Sequence, residues 1–246
     1  MVHTMVIGNK VPESGKASFR LEREMLNSAR LWLESRGLTA RTEFALPWGI
    51  CDLVGISFFK SRVKQRLALG QKSPIGTPRK IDLLNRIPDA TSGRSVTISG
   101  LKRQLVDFVE PDQIDSDIES LIASRFVVRR TSNTLQKLNG WMPLSKRLVA
   151  IELKLNRVSE AFSQAKAHQH IADEVYIGLP QPVATRIVES GRKHHFKASG
   201  VGILSITDDA CSVLLPCRKI EVEPYSVLKA HCVERMWRSS IKDKSS

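Results

Sequence analysis

The stretch Leu148-Val149-Ala150-Ile151-Glu152-Leu153-Lys154-Leu155 decides how the rest of the chain is read. It is apolar apart from one acid and one base, and its length suits a buried strand. Alternate side chains of a strand share a face, so Glu152 and Lys154 project together while Ile151, Leu153 and Leu155 pack on the other side. A carboxylate in such a strand costs free energy unless something pairs with it. An acid-x-Lys triplet is common by chance, and a solvent-facing edge strand would explain this one if it stood alone. Here the triplet occurs once, inside a strongly apolar run.

Working outward, two further acids stand in similar places. The segment Ile50–Phe59 reads as a strand, apolar except for Asp52 and Ser57, and follows a first strand, Thr42–Leu46, after the turn Pro47-Trp48-Gly49. Before them the spacing predicts a helix over Ala17–Ser35, stopped by Gly37, with Phe19, Leu26, Ala29 and Leu33 on one stripe. Glu22 falls on that same stripe, which favours it over Glu24 as the functional acid, with the choice between the two left open. If the Asp52 and Glu152 strands are neighbours, two carboxylates and an ammonium converge. Metal-dependent phosphodiester hydrolysis needs that set. Asp52 and Glu152 supply hard oxygen ligands for Mg²⁺, and Glu22 holds a metal-bound water or a second metal. Lys154 positions or deprotonates the attacking water and offsets charge on the phosphate oxygens.

These motifs resemble the PD-(D/E)XK nuclease superfamily over Ser18–Phe59 and Leu148–Ile206. Phe19-Arg20-Leu21-Glu22 looks like its opening helix, Trp48-Gly49-Ile50-Cys51-Asp52 like its aspartate strand, and Ile151-Glu152-Leu153-Lys154 like its (D/E)-x-K. The resemblance implies a restriction-endonuclease-like α/β fold, a mixed sheet flanked by helices. It implies catalytic roles for Glu22, Asp52, Glu152 and Lys154, and for Gln164 on the following helix, where several subfamilies place a glutamine near the metal. It also implies Mg²⁺ as cofactor, with Mn²⁺ able to substitute. Two departures stand out. Cys51 replaces the proline that often precedes the aspartate, and about 100 residues separate Asp52 from Glu152 where a compact member needs a short hairpin.

That separation is filled by a basic segment. Lys60–Arg147 holds 17 basic and 8 acidic residues, so it carries most of the chain's net charge of +13. Its pattern is helix (Arg79–Arg86), short strand (Ser95–Ile98), helix (Ser99–Phe108, capped by Ser99), helix (Gln113–Ser124), strand (Phe126–Arg130) and a polar hairpin. That order resembles a winged helix-turn-helix, which usually binds DNA. The expected organisation is therefore a nuclease core of residues 1–60 plus 147–246 and an inserted winged-helix-like domain of residues 61–146. Asp115, Asp117 and Glu119 on the third helix would repel phosphates. DNA backbone contact is therefore assigned to Lys102 and Arg103, to Arg129, Arg130 and Lys137 along the wing, and to Lys60, Arg62, Lys64 and Arg66 in the entry segment. A protein-interaction role for the insert is the alternative.

After the insert the α/β pattern resumes: helix Ser159–Ala172, strand Glu174–Leu179, helix Pro182–Ser190 and strand Gly200–Ile206, with Lys242–Ser246 as a tail. The four cysteines form no C-x-x-C pair and are read as buried reduced thiols; the six histidines lack zinc-protease spacing and are read as surface residues or as supports behind a site, not as metal ligands. No apolar run is long enough to cross a bilayer, Met1–Lys10 has no signal-peptide pattern, and a cytoplasmic protein is expected. The large positive charge points to nucleic acid as partner. The leading expectation is a DNA endonuclease, with a homodimer compatible with double-strand cutting. A non-catalytic DNA-binding protein on a nuclease scaffold and a winged-helix regulator are the alternatives. Whether the substrate is duplex, branched or single-stranded stays open.

Overall fold

The computed structural model describes residues 19–105, 107–138, 141, 143–223 and 226–242. The expected helix start at Ala17 and the end of the expected tail lie outside the described residues.

The first helix is shorter than its apolar stripe suggests. Leu21 is extended, a 3-10 turn covers Glu22–Met25, and α1 runs only over Leu26–Ser35. The turn begins there because the Glu24 carboxylate accepts the Arg20 N–H at 2.8 Å, capping the chain just before it coils. Gly37, at φ +73°, ends α1 as expected. Strands β1 (Thr39–Leu46) and β2 (Gly49–Phe58) form an antiparallel hairpin. Beyond it come α2 (Lys60–Ala68), α3 (Pro78–Arg86), β3 (Val96–Thr97), α4 (Ile98–Leu105), α5 (Pro111–Ala123), β4 (Val127–Thr131) and β5 (Thr134–Lys137). Ser99 does not cap α4; Thr97 does, its hydroxyl accepting the Gly100 N–H at 3.0 Å. The chain continues with β6 (Ser145–Leu153), α6 (Val158–His168), β7 (Glu174–Pro180), α7 (Gln181–Glu189), α8 (Lys193–Ser199), β8 (Gly202–Ile206), β9 (Cys211–Leu215) and α9 (Val227–Lys242).

These elements build an α/β protein with two sheets. The larger has the order β1-β2-β6-β7-β8-β9, parallel between β6, β7 and β8 and antiparallel elsewhere. The parallel steps are crossed by α6 and α7, as parallel strands require. Side chains on β6 alternate between two cores. Leu148 and Ala150 pack with Ala161, Ala165 and Val175, while Val149, Ile151 and Leu153 pack with Met25, Ala29 and Leu33 of the first helix region. The smaller sheet has the antiparallel order β3-β5-β4 and shares a third core with α3, α4 and α5, centred on Ile81, Leu84, Leu101, Ile118 and Phe126.

The two lobes are not strung on a loose linker. Helix α9 places Ala230 in the smaller core and Val233, Met236 and Trp237 in the larger one. Arg66 on α2 is buried and makes a bidentate pair with Glu234 of α9, at 2.5 and 2.8 Å. Its guanidinium also stacks 4.0 Å from the Trp237 ring, and Glu234 accepts the Ile75 N–H at 2.8 Å. The boundary expected at residue 61 thus falls inside a helix that is part of the joint. Among the described residues, no helix is long and apolar enough to cross a membrane.

Candidate active site

The site forms where β2 and β6 part. Their ladder runs to Leu53↔Ile151 and stops. On the other side of β2, the Glu43–Asp52 step is missing from an otherwise regular register, and Glu43 has φ +50°, rare for a residue with a side chain. This kink shifts the alternation of β2. Cys51, Val54 and Ile56 share one core, and Ile50, expected on that face, is 59% exposed. Asp52 sits at the phase break. Its carboxylate accepts the Leu153 N–H at 2.8 Å, a donor that a continued ladder would have given to a β2 carbonyl.

Burial raises the Asp52 carboxyl from its ordinary 3.8 to about 6. The Leu153 N–H pulls against that rise, the neighbouring Glu152 carboxylate adds to it, and the Lys154 ammonium lowers it again. Glu152 is therefore close enough to oppose the ionisation of Asp52. Glu152 is 1% exposed, with Oε1 held by His168 Nε2 at 2.5 Å and Oε2 buried without a partner. Lys154, just past the end of β6, donates its backbone N–H to Gly178 O at 3.1 Å, extending the parallel ladder. Its buried ammonium lies 3.4 Å from Glu22 Oε2 and 4.0 Å from Asp52 Oδ2. Of the two candidate helix acids, Glu22 reaches the site, while Glu24 is spent on the Arg20 cap. Arg157 also approaches Glu22, at 3.9 Å.

Gln164 lies on α6, one turn before His168, and its buried Oε1 has no partner. His168 is the residue that sequence reading undervalued: it is 2% exposed and lies directly behind Glu152. The available signal was the Gln164–His168 spacing, which puts both on the face of α6 turned to β6. The Trp48 indole N–H donates to His168 Nδ1 at 3.2 Å, so the imidazole proton sits on Nε2 and points at Glu152. Cys51, Glu152 and His168 bring ligand atoms within 4.8 Å of one another, a composition able to bind a metal. As placed, neither His168 nitrogen has a free lone pair. Burial, and next Glu152, push the Cys51 thiol well above its ordinary range, so it stays protonated and donates to Leu53 O and Ile151 O. Within the trio, His168 holds Glu152 in place and Cys51 bonds to backbone carbonyls.

The cations assigned to DNA fare differently. Lys102 pairs with Asp115 at 2.6 Å, and Arg129 pairs with Glu119. Arg130 donates to Gln136 at 2.5 Å. Lys137 is half-buried, donates to Leu84 O at 3.1 Å, and is lowered by burial from its ordinary value. Arg79 likewise engages Asp117. Three acids of α5, Asp115, Asp117 and Glu119, are thus paired within the lobe, and they take up two of the cations expected to face phosphates, Lys102 and Arg129; Arg103 remains exposed. Comparison with family models, with curated proteins and with solved structures finds no match for this chain.

Proposed function

We propose that the protein is a metal-dependent DNA endonuclease of the PD-(D/E)XK type, with Asp52, Glu152 and Lys154 as its catalytic core. The observation that carries this reading is the convergence at the β2–β6 gap. Asp52 is displaced from the ladder beside Glu152, and the Lys154 ammonium lies 4.0 Å from Asp52. The order helix, β1, β2, β6, α6, β7, with the aspartate on the second strand and Glu-x-Lys on the third, supports the same family. In the smaller lobe, a helix, a short strand, two helices and a terminal hairpin support a winged helix-turn-helix.

The residues fit a hard divalent cation. Glu152 keeps one buried oxygen without a partner, Gln164 keeps another, and Asp52 is disfavoured as an anion beside Glu152. A positive ion relieves that opposition, and oxygen donors suit Mg²⁺ or Mn²⁺. Asp52 and Glu152 would hold it, with Glu22 and Gln164 at the margin. The ion, when bound, polarises the scissile phosphate and acidifies water. Lys154, held between Glu22 and Asp52, offers a fixed positive charge where the phosphate oxygens gain charge. Its near-complete burial keeps that charge from being diluted by solvent.

The deciding experiment is cleavage of supercoiled, linear, branched and single-stranded DNA with Mg²⁺ or Mn²⁺, with EDTA and Glu152→Ala as controls. Metal-dependent cutting that disappears in the variant is expected. No cutting on any substrate, with DNA binding intact and no metal bound, would leave a DNA-binding scaffold instead.

A further inference from the structure

The charge that the smaller lobe does not spend on itself has another outlet. A cavity of about 900 Å³ opens beside the joint between the lobes, away from the acids. Its rim carries Arg36, Lys60, Lys64, Lys72 and Lys146, all exposed, and no acid lines it. Arg36 is steadied 4.2 Å over the Trp32 ring. The four lysines make no ion pair within 4.0 Å among the described residues, in contrast to Lys102 and Arg129. The accessible apolar lining is the partly buried Phe58 and Val63 and the exposed Leu67, packed over the buried Ile56 and Trp237.

We propose that this cleft is a binding site for single-stranded nucleic acid, its lysines taking the phosphates and its apolar lining taking an unstacked base. A positive rim beside an aromatic face, here that of Phe58, is the combination by which proteins hold single strands. The volume falls in the range of pockets that enclose small ligands, so a nucleotide unit enters it. A duplex keeps its bases paired and stacked, so it touches only the rim. Phe58 and Asp52 lie six residues apart on β2, so the cleft is roughly 20 Å from the catalytic acids along the strand. A strand seated here is held several nucleotides from the point of cutting, so the site grips an unpaired segment at a distance from the cleaved bond. The inference deepens the nuclease reading and rests on nucleic acid being the substrate.

The test uses the full chain in EDTA, so that binding is read without cutting. Anisotropy of a labelled oligothymidylate and of a blunt duplex is measured against salt, for the wild type, Lys60→Ala/Lys64→Ala, Lys146→Ala and the control Lys102→Ala. The double variant is expected to weaken single-strand binding about tenfold and to flatten the salt slope by about 0.7 per lysine removed. Duplex binding, made through the rim alone, should weaken less than single-strand binding, and the control should change little. Unchanged single-strand affinity in both cleft variants overturns the proposal, as does an equal loss for the duplex. Cutting in Mg²⁺ is scored separately. A wild type that binds through the cleft but cuts nothing refutes the nuclease and spares the cleft. A wild type that cuts, with cleft variants binding normally, does the reverse.

Discussion

Asp52 is the acid of the candidate site whose titration folding changes. Its carboxyl titrates near 6 in the fold, mainly through burial and further through Glu152, against 3.8 ordinarily. A raised carboxyl binds its proton more tightly folded than unfolded. Without metal, stability therefore falls as pH rises between about 4 and 6 and levels off above. Asp52→Asn should abolish that slope and be more stable than the wild type above about pH 6. Mg²⁺ should restore stability to the wild type only. Urea unfolding in EDTA across this range checks both points, and a wild-type curve that rises through the window would refute the assignment. A second consequence concerns Trp48, whose indole fixes the His168 tautomer and through it the free oxygen of Glu152. Trp48→Phe removes that N–H together with part of the ring packed beside His168 and His170, and supporting partners of metal ligands are typically worth about tenfold or more in metal affinity. Half-maximal cutting should therefore need about tenfold more Mg²⁺, with the rate at saturating metal largely kept. The imidazole ¹⁵N spectrum should lose its single Nε2–H tautomer in the same variant.

At the level of elements, the site depends on how closely β7 lies against its neighbours. Gly178 on β7 supplies the carbonyl that receives the Lys154 N–H. A Cβ there would come within 2.5 Å of Leu153 Cδ2 and 2.8 Å of Ile206 Cδ1. Gly178→Ala should cost about 1–3 kcal/mol through overpacking and should push Leu153 and the Lys154 backbone outward. Urea unfolding gives the first quantity. A drop in cutting larger than the fraction unfolded reveals the second. The kink at Glu43 and the end of the β2–β6 ladder are likewise properties of paired strands, since neither exists until Asp52 finds the Leu153 N–H.

For the whole molecule, the joint formed by α2 and α9 matters most. Glu234 is 1% exposed and neutralises an equally buried Arg66. Removing one partner of a buried pair leaves an uncompensated charge, and Glu234→Gln should cost about 3–5 kcal/mol. Because that pair lies between Phe126, Ile75 and Trp237, both lobes should lose stability together, in one transition by near-UV circular dichroism and by hydrogen exchange. Separate melting of the smaller lobe would show that the joint is only a contact.

The local pattern of the sequence determined the alternation of β6, the hairpin before it, the helices of the smaller lobe and the choice of Glu22, Asp52, Glu152 and Lys154 as candidates, because period and apolarity are carried by neighbouring residues. It did not reveal α2 or α9, whose stability as helices comes from Arg66, Glu234 and Trp237 meeting across 168 residues or more of chain. Nor did it reveal His168, which resembles any polar residue near a helix end until the fold seats it behind Glu152. The wing cations looked available because charge is visible in sequence while pairing is not. Tertiary structure alone decided which lysines are spent on Asp115 and which face an open cleft. An ion pair depends on where distant segments come to lie, and folding fixes that position.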